Sequence, residues 1–425
     1  MWRVSGPRAA SVFKASLNAE VPPPRLATRV ALADPQSGAA LDDGLALWFP
    51  APNSFTGEDV VELHLHGGLA AGAAAARVLA SLPGLRPAEP GEFTRRAFEN
   101  GKMDLTEAEG LADLVDAETE AQRRQARRQM AGELSDLYER WRLGLVVALA
   151  HFEAEIDFAE EDIPPDLHAR ARAAVEVLSA EIAGHLDDNR RGEILRGGIS
   201  VAIVGPPNAG KSSLLNRLAR RDAAIVSDIA GTTRDVIEVH LDLAGFPVVL
   251  ADTAGLRAGR DAIEEEGVRR ARLRAEQADL KLAVFDGATW PSRDAATEAM
   301  VDGDTICVVN KIDLGIDVAA SLPLIGPPIG VSAKTGAGLD ALEAALSQAV
   351  AARFQPSAAP QLTRARHRSA LIEAQSAFAR FLSASSPELA AEDLRLAARA
   401  LGRITGRVDV EEILGRIFSE FCIGK

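Results

Sequence analysis

Cysteine is scarce in this chain of 425 residues: Cys307 and Cys422 are the only two. Two thiols cannot build a disulfide framework, and structural bridges belong mostly to secreted proteins, so a reduced protein of the cytoplasm is expected. Long apolar runs are missing too. None reaches the roughly 18 to 20 residues that span a bilayer, which argues against a membrane protein, and the opening "MWRVSGPRAA" lacks the apolar centre of a signal peptide. Positive charge is in deficit, with a formal net charge of -14. The whole chain is therefore not a nonspecific nucleic-acid binder, because such affinity comes from neutralising phosphates with Lys and Arg; nucleic-acid contact is expected to be local or shared with a partner. A third metal ligand is also lacking around "HLHGG", where His64 and His66 share a strand face, so a metal reading is not favoured.

What is present reads as a multidomain protein, since domains hold about 100 to 200 residues. Residues 1–98 mix strand-like runs, Leu45–Phe49 and Val60–Leu65, with Gly and Pro turns such as "FPAPNSFTGED", the pattern of a small α+β domain. No proline occurs between Pro90 and Pro164, and apolar residues recur there at helical spacing, which predicts long helices within 99–195. After "RRGEILRGG", read as a junction, apolar runs alternate with helical segments over 196–355. That alternation predicts a mainly parallel sheet with helices on both faces. "FQPSAAPQ" closes this region, and helical sequence resumes over 356–425. An α/β domain inserted into a helical one is the economical arrangement, because the ends of a compact domain often lie close together.

The chemistry concentrates in five motifs. "GPPNAGKSS" follows the strand "ISVAIV" and opens a helix, the context in which Gly-x-x-x-x-Gly-Lys-Ser cradles phosphate. Backbone N–H groups over Asn208, Ala209, Gly210 and Ser213 and the helix N-terminus face the anion, Lys211 spans the outer phosphates, and Ser212 can ligate magnesium. "GTTRD" supplies the hydroxyls of Thr232 and Thr233 after Gly231. "DTAG" (Asp252, Thr253, Ala254, Gly255) ends a strand with a carboxylate and a glycine able to approach a terminal phosphate. "NKID" ends another strand, offering Asn310, Lys311 and the base selector Asp313, whose carboxylate accepts both N–H donors on guanine's edge and finds no such pair on adenine. "SAK" (Ser332, Ala333, Lys334) closes the base pocket. Each motif alone is also a plain turn or strand end; in this order they resemble the translation-factor-like class of P-loop GTPases and predict GTP binding at the strands' C-terminal ends.

One catalytic part is absent. Some GTPases hold the attacking water with a Gln directly after Asp-x-x-Gly, and here that place is Leu256, which neither accepts nor donates. Glu264, for orienting water, and Asn208, whose side-chain carbonyl suits a monovalent cation, are the candidates to replace it. Their bland alternatives are a solvated glutamate and a loop-stabilising asparagine.

"PNSFTGEDVVELHLHGG", "PGEFTRRAFENGKMDLTEAEGLADLVDAETE", "GPPNAGKSSLLNRLARRDAAIVSDIAGTTRD", "DTAGLR" and the terminal "LGRIFSEFCIGK" together resemble the MnmE (TrmE) family of tRNA modification GTPases over nearly the whole chain. The resemblance implies an N-terminal α+β domain (1–98) for tetrahydrofolate binding and dimerisation, a discontinuous helical domain (99–195 and 356–425), and an inserted Ras-like P-loop G domain (196–355). It further implies a homodimer that joins the flavoprotein MnmG (GidA), which carries FAD, in a heterotetramer. Together they form 5-carboxymethylaminomethyluridine, or the aminomethyl form, at the tRNA wobble position, with 5,10-methylenetetrahydrofolate as carbon donor and 5-formyltetrahydrofolate as its analogue. Carried over by motif, GTP contacts extend to Ser227, Asp228, Ile229 and Ala230; Asn208, Ser227, Ile229 and Thr232 hold potassium; Ser212 and Thr233 hold magnesium; and Glu264 acts through water. Potassium would then supply the charge that Leu256 cannot. Folate contacts map to Arg3, Glu62, Lys102 and Lys425, types suited to pterin N–H donors and to a glutamate tail. Without the resemblance, Glu62 reads as a solvent-facing strand residue and Lys102 as a surface lysine.

Family members begin about twenty residues earlier, ahead of the segment matching "WRVSG"; relative to them this chain is N-terminally shortened, and the expected reason is a start placed too late, the alternative being a genuinely shortened variant in which Arg3 would be displaced. Pro206 also replaces a basic residue common after the first loop glycine. A GTPase that times ribosome assembly without folate chemistry, and a dimeric scaffold without efficient turnover, are the competing readings. "RRQARR" (Arg123 to Arg128) is either a tRNA or partner contact or a solvated helix face. At the C-terminus, Asp409 and Glu412 fit a capping box, and Ile413, Leu414, Ile417, Phe418 and Phe421 form an apolar stripe bordered by Cys422. Spacing makes Cys422 a buried, inert thiol; the resemblance makes it a pocket residue with a possible chemical role.

Overall fold

The protein is seen in a computed structural model that describes residues 1–157, 166–221, 223–225, 238–252, 273–318, 326–354, 359–408, 414, 415, 417, 418 and 421. Its chain divides into two compact units. One comprises Met1–Ala112, Gln129–Leu178 and Ile372–Lys425, the other Asp113–Arg128 and Ser179–Leu371.

The first unit opens with β1 (Trp2–Ser5), α1 (Ser11–Ser16), β2 (Thr28–Ala33), β3 (Ala40–Phe49), β4 (Val60–His64) and α2 (Leu69–Ser81). The four strands form an antiparallel sheet in the order β1-β4-β3-β2, whose register sets Glu62 opposite both Arg3 and Leu47. Phe13 from α1, Leu32, Trp48 and Leu63 from the strands, and Val78 and Leu79 from α2 share one core, the expected α+β arrangement.

The proline-free stretch is not one helix. It forms α3 (Glu92–Glu99), α4 (Leu105–Asp116), α5 (Glu120–Met130) and α6 (Glu133–Asp157). Glycines in the left-handed region help to interrupt it, Gly101 at φ 65° after α3 and Gly132 at φ 92° before α6. Residues 133–157 pack against a later helix of the same unit, and Tyr138, Trp141, Leu145 and Phe152 of α6 are buried. Each large apolar side chain buried in this way contributes about 1.5 to 3 kcal/mol.

Helix α7 spans Leu167–Leu186, and "RRGEILRGG" contains the two-turn helix α8 (Arg191–Gly197). The second unit then builds its sheet from β5 (Ile199–Val204), α9 (Lys211–Leu218), β6 (Glu238–Leu243), β7 (Phe246–Asp252), β8 (Leu280–Asp286), the short α10 (Ala295–Glu298), β9 (Thr305–Asn310), β10 (Ile329–Val331) and α11 (Leu339–Arg353). Strand order is β10-β9-β8-β5-β7-β6, with every pairing parallel except the β6–β7 hairpin. Ala244 and Gly245, at φ 55° and 85°, make the turn of that hairpin, as a right-twisted two-residue connection requires. Alternate strand residues feed two cores: Ile199, Val201 and Ile203 face Leu214 and Leu342, while Ala202, Val204 and Phe285 join Cys307 and Val309. A sheet buried on both faces is what the near-continuous apolar runs predict.

Helices α12 (Ala365–Ser383) and α13 (Pro387–Thr405) follow, and α13 is the helix against α6. Of the C-terminal stripe, Leu414, Ile417, Phe418 and Phe421 are buried with Leu105 and Ala108 of α4. Gly91, at φ 67°, admits this segment: a Cβ there would lie 2.3 Å from the carbonyl oxygen of Phe418. Ile413 and the capping pair Asp409 and Glu412 lie outside the described residues. Among the described residues no helix is long and apolar enough to cross a membrane.

Candidate functional site

Parallel pairing lines up the ends of β5, β7, β8 and β9. Ile203 stands beside Asp252, and Asp286 beside Asn310. From β5 the chain enters the phosphate loop through Gly205, where a Cβ would meet the carbonyl oxygen of Val284 at 2.3 Å. Asn208 and Gly210 take φ of 64° and 90°, and a Cβ at Gly210 would meet Asn310 Nδ2 at 2.2 Å. Helix α9 starts at Lys211, whose Nζ donates to the carbonyls of Gly205 (2.7 Å) and Pro206 (2.9 Å) and spans the loop. Ser212 and Ser213 are exposed on the first turn of α9.

Two further loops close on this one. Asn310 is buried; its Nδ2 donates to the carbonyl of Ala209 at 2.8 Å and its Oδ1 accepts the N–H of Ala333 at 3.0 Å. Ser332 Oγ donates to Asp313 Oδ1 at 2.6 Å and accepts the N–H of Thr335 at 3.2 Å. Lys311, held at φ 70°, reaches Asp286 Oδ2 at 2.7 Å. Burial opposes ionisation of Asp286, but Lys311 and the N–H of Ala288 hold its carboxyl below the usual range. Sequence reasoning missed Asp286, although a carboxylate ending the apolar run "LKLAVFD" was a signal for it. Lys334 stands next in the loop after Ala333. Asp252 ends β7, while its side chain, Ser227 to Thr233, Thr253 to Gly255, Leu256, Glu264, Cys422 and Lys425 lie outside what the structure describes. Cys307 is buried within β9, where burial pushes its thiol up.

A second site lies in the first unit. A cavity of about 310 Å³ is lined by Arg25, Phe49, Phe55, Val60, Glu62 and Lys102, among others. Glu62 Oε1 accepts from Arg3 Nε (3.0 Å) and Nη2 (2.8 Å), and the Arg3 guanidinium lies 5.4 Å from the ring of Phe55 and 5.7 Å from that of Phe93. Lys102 Nζ donates to the carbonyl of Pro52 at 3.0 Å. Three expected residues, Arg3, Glu62 and Lys102, thus meet around one place, with Arg3 spent on Glu62. Arg25 was missed: it sits in "PPPRL", which has no periodicity or motif to mark it. Beyond β4, His66 Nδ1 pairs with Asp42 Oδ1 at 2.7 Å, which raises the imidazole's pKa, and His64 Nε2 lies 3.8 Å from Glu62. Arg123 and Arg124 of α5 pair with Glu120 on the same helix, the geometry of a solvated face.

The nested phosphate and base loops at the C-terminal edge of a mainly parallel sheet define a Ras-like P-loop GTPase. Comparison with known proteins makes this specific. Residues 105–422 match the MnmE helical domain, and residues 1–102 match the GTP-binding protein TrmE N-terminus. The tRNA modification GTPase MnmE of Parvibaculum lavamentivorans is 59% identical over 100% of this chain and 96% of its own length; that of Paramagnetospirillum magneticum is 60% identical with the same coverage. Among solved structures, Aquifex aeolicus Era bound to GDP and AlF4- is 27% identical, covering 44% of this chain and 69% of its own, at a TM-score of 0.28. The chain belongs to the MnmE family of tRNA modification GTPases.

Proposed function

We propose that the chain is a potassium-stimulated GTPase that works with the flavoprotein MnmG, which carries FAD, to build 5-carboxymethylaminomethyluridine or its aminomethyl counterpart at the tRNA wobble position. One observation carries this reading: the same chain holds a nucleotide-shaped loop array and, in a different unit, a cavity combining a fixed carboxylate with cations. In the first, Lys211 and the N–H groups opening α9 hold phosphates, Ser212 and Thr233 hold magnesium, and Asp313 selects guanine. Asn208, exposed on the loop at φ 64°, holds potassium together with Ser227, Ile229 and Thr232. Glu264 orients water. Potassium offsets charge developing on the phosphates, the part that an arginine finger plays in other GTPases.

The cavity takes 5,10-methylenetetrahydrofolate, which supplies the carbon. Glu62 accepts from pterin N–H donors, Arg3 fixes the orientation of Glu62, and Lys102 and Lys425 meet the glutamate tail. Cys422 lines the uridine site or reacts there; a Cys422→Ser variant that still supports modification assigns it to lining. We place the working assembly in the cytoplasm as a homodimer joined through residues 1–98, with a helical domain of 99–195 and 356–425 and a G domain of 196–355.

The test has two arms. GTP hydrolysis measured in potassium and in sodium is expected to be faster in potassium, and equal slow rates would reject the cation mechanism. Nucleoside analysis of tRNA from a deletion strain is expected to lose the modified uridine and to regain it with this coding sequence; an unchanged wobble uridine in the deletion would reject the assignment.

A further inference from the structure

Arg25 is held in a way that an ordinary surface arginine is not. Its backbone sits at φ 63°, a conformation that a non-glycine residue keeps only where its surroundings impose it. Three contacts impose it here. The N–H of Arg25 donates to the carbonyl of Trp48 at 2.8 Å, the guanidinium lies 5.5 Å from the ring of Phe49, and Nη2 donates to the carbonyl of Asn53 at 2.6 Å. Lys102 is anchored alongside, on the carbonyl of Pro52 at 3.0 Å.

Charge around the cavity is unbalanced. Its carboxylate, Glu62, is already neutralised by Arg3, whereas no ion pair to a carboxylate is made by Arg25 or Lys102 among the described residues. Two cations fixed on successive carbonyls, Pro52 and Asn53, line a cavity whose one carboxylate among the described residues is Glu62. A ligand complementary to this lining carries N–H donors for Glu62 and negative groups for Arg25 and Lys102.

We propose that Arg25 is a specificity residue for the glutamyl end of the folate, pairing with a tail carboxylate alongside the lysines that meet that tail. This rests on the folate reading of the cavity given above. A guanidinium fork suits a carboxylate better than an ammonium does, and its stack on Phe49 fixes the fork before the ligand arrives, so little side-chain entropy is lost on binding. Arg25 would then distinguish a folate with its tail from a bare pterin, while Glu62 recognises the bicyclic head shared by both.

The experiment titrates the full chain with 5-formyltetrahydrofolate and with a tetrahydropterin lacking the benzoylglutamate tail. Arg25→Ala is expected to weaken the tailed ligand about tenfold or more and the tailless one less than about twofold, as loss of one charge-assisted contact predicts. Arg25→Lys, which keeps charge without the fork, is expected to fall between, and it carries the test if Arg25→Ala does not fold. Equal loss for both ligands, or no loss for the tailed one, overturns the role of Arg25 while leaving the folate reading intact. A wild-type chain that binds neither ligand overturns the folate reading itself, and the role of Arg25 with it.

Discussion

Asn310 Nδ2 lies 2.8 Å from the carbonyl oxygen of Ala209, joining the end of β9 to the phosphate loop, and Asn310 Oδ1 accepts the N–H of Ala333 in the base loop. One amide therefore holds two nucleotide loops in register. Asn310→Ala leaves a buried carbonyl and an N–H unmet, which costs about 1 to 3 kcal/mol. Thermal melting is expected to show that loss, and titration with GDP a drop in affinity of tenfold or more. Unchanged GDP affinity would mean that the loops hold their shape without the bridge.

Gly210 shares that contact. At φ 90°, with its absent Cβ only 2.2 Å from Asn310 Nδ2, it has no room for alanine. Gly210→Ala is expected to abolish measurable nucleotide binding. Gly184, inside α7, meets nothing within 4 Å, so Gly184→Ala is the control, expected to raise stability by about 0.5 to 1 kcal/mol. A Gly210→Ala chain that binds GDP normally would contradict the close packing of the loop.

Asp313 tests base selection. Replacing its carboxylate with an amide exchanges an acceptor for a donor, so Asp313→Asn is expected to lose GTP and gain xanthosine triphosphate, whose 2-oxo group accepts where guanine's amino group donates. The hydroxyl of Ser332 bonds to Asp313 Oδ1 at 2.6 Å and pre-orients the group, so Ser332→Ala should weaken GTP without changing the base preferred. Competition between the two triphosphates reads both effects; an Asp313→Asn chain that still prefers GTP would move base selection elsewhere.

His185 predicts a pH dependence in the second unit. Burial pulls its imidazole down to about 4, Asp188 opposes this, and His367 and Arg368 add to it. An unfolded histidine titrates near 6.5, so between about 6.5 and 4 the unfolded chain holds a proton that the folded chain does not. Stability from this group is whole above about 6.5, falls through that window on acidification by on the order of 3 kcal/mol, and levels off below it. His185→Gln is expected to flatten that part of the stability profile in denaturant titrations. An identical slope in the variant would assign the dependence to another group.

Some of this protein is local, and local structure is legible in a sequence. The phosphate loop is consecutive: Gly205 and Gly210 supply backbone conformations, Lys211 bonds back to Gly205 and Pro206, and α9 begins at once, so one short string carries the whole device. Runs such as "ISVAIV" and "TICVVN" announce strands buried on both faces for the same reason. The breaks among the helices of residues 92–157 were less visible, because Gly101 and Gly132 interrupt where proline does not.

Only the tertiary structure decided what meets around Glu62. Pairing of β1 with β4 sets Arg3 opposite Glu62, pairing of β3 with β4 sets Leu47 there, and Arg25 and Lys102 arrive from two other loops to bond Asn53 and Pro52. Residue types and alternation say which face a strand buries. They do not say which partner stands opposite, since register depends on the packing of the whole sheet, and a cation in a loop has no period by which to be found. The same holds for Asn310: its motif names it, but the bonds to Ala209 and Ala333 exist because β5, β8, β9 and β10 lie side by side in parallel, bringing their loops to one edge.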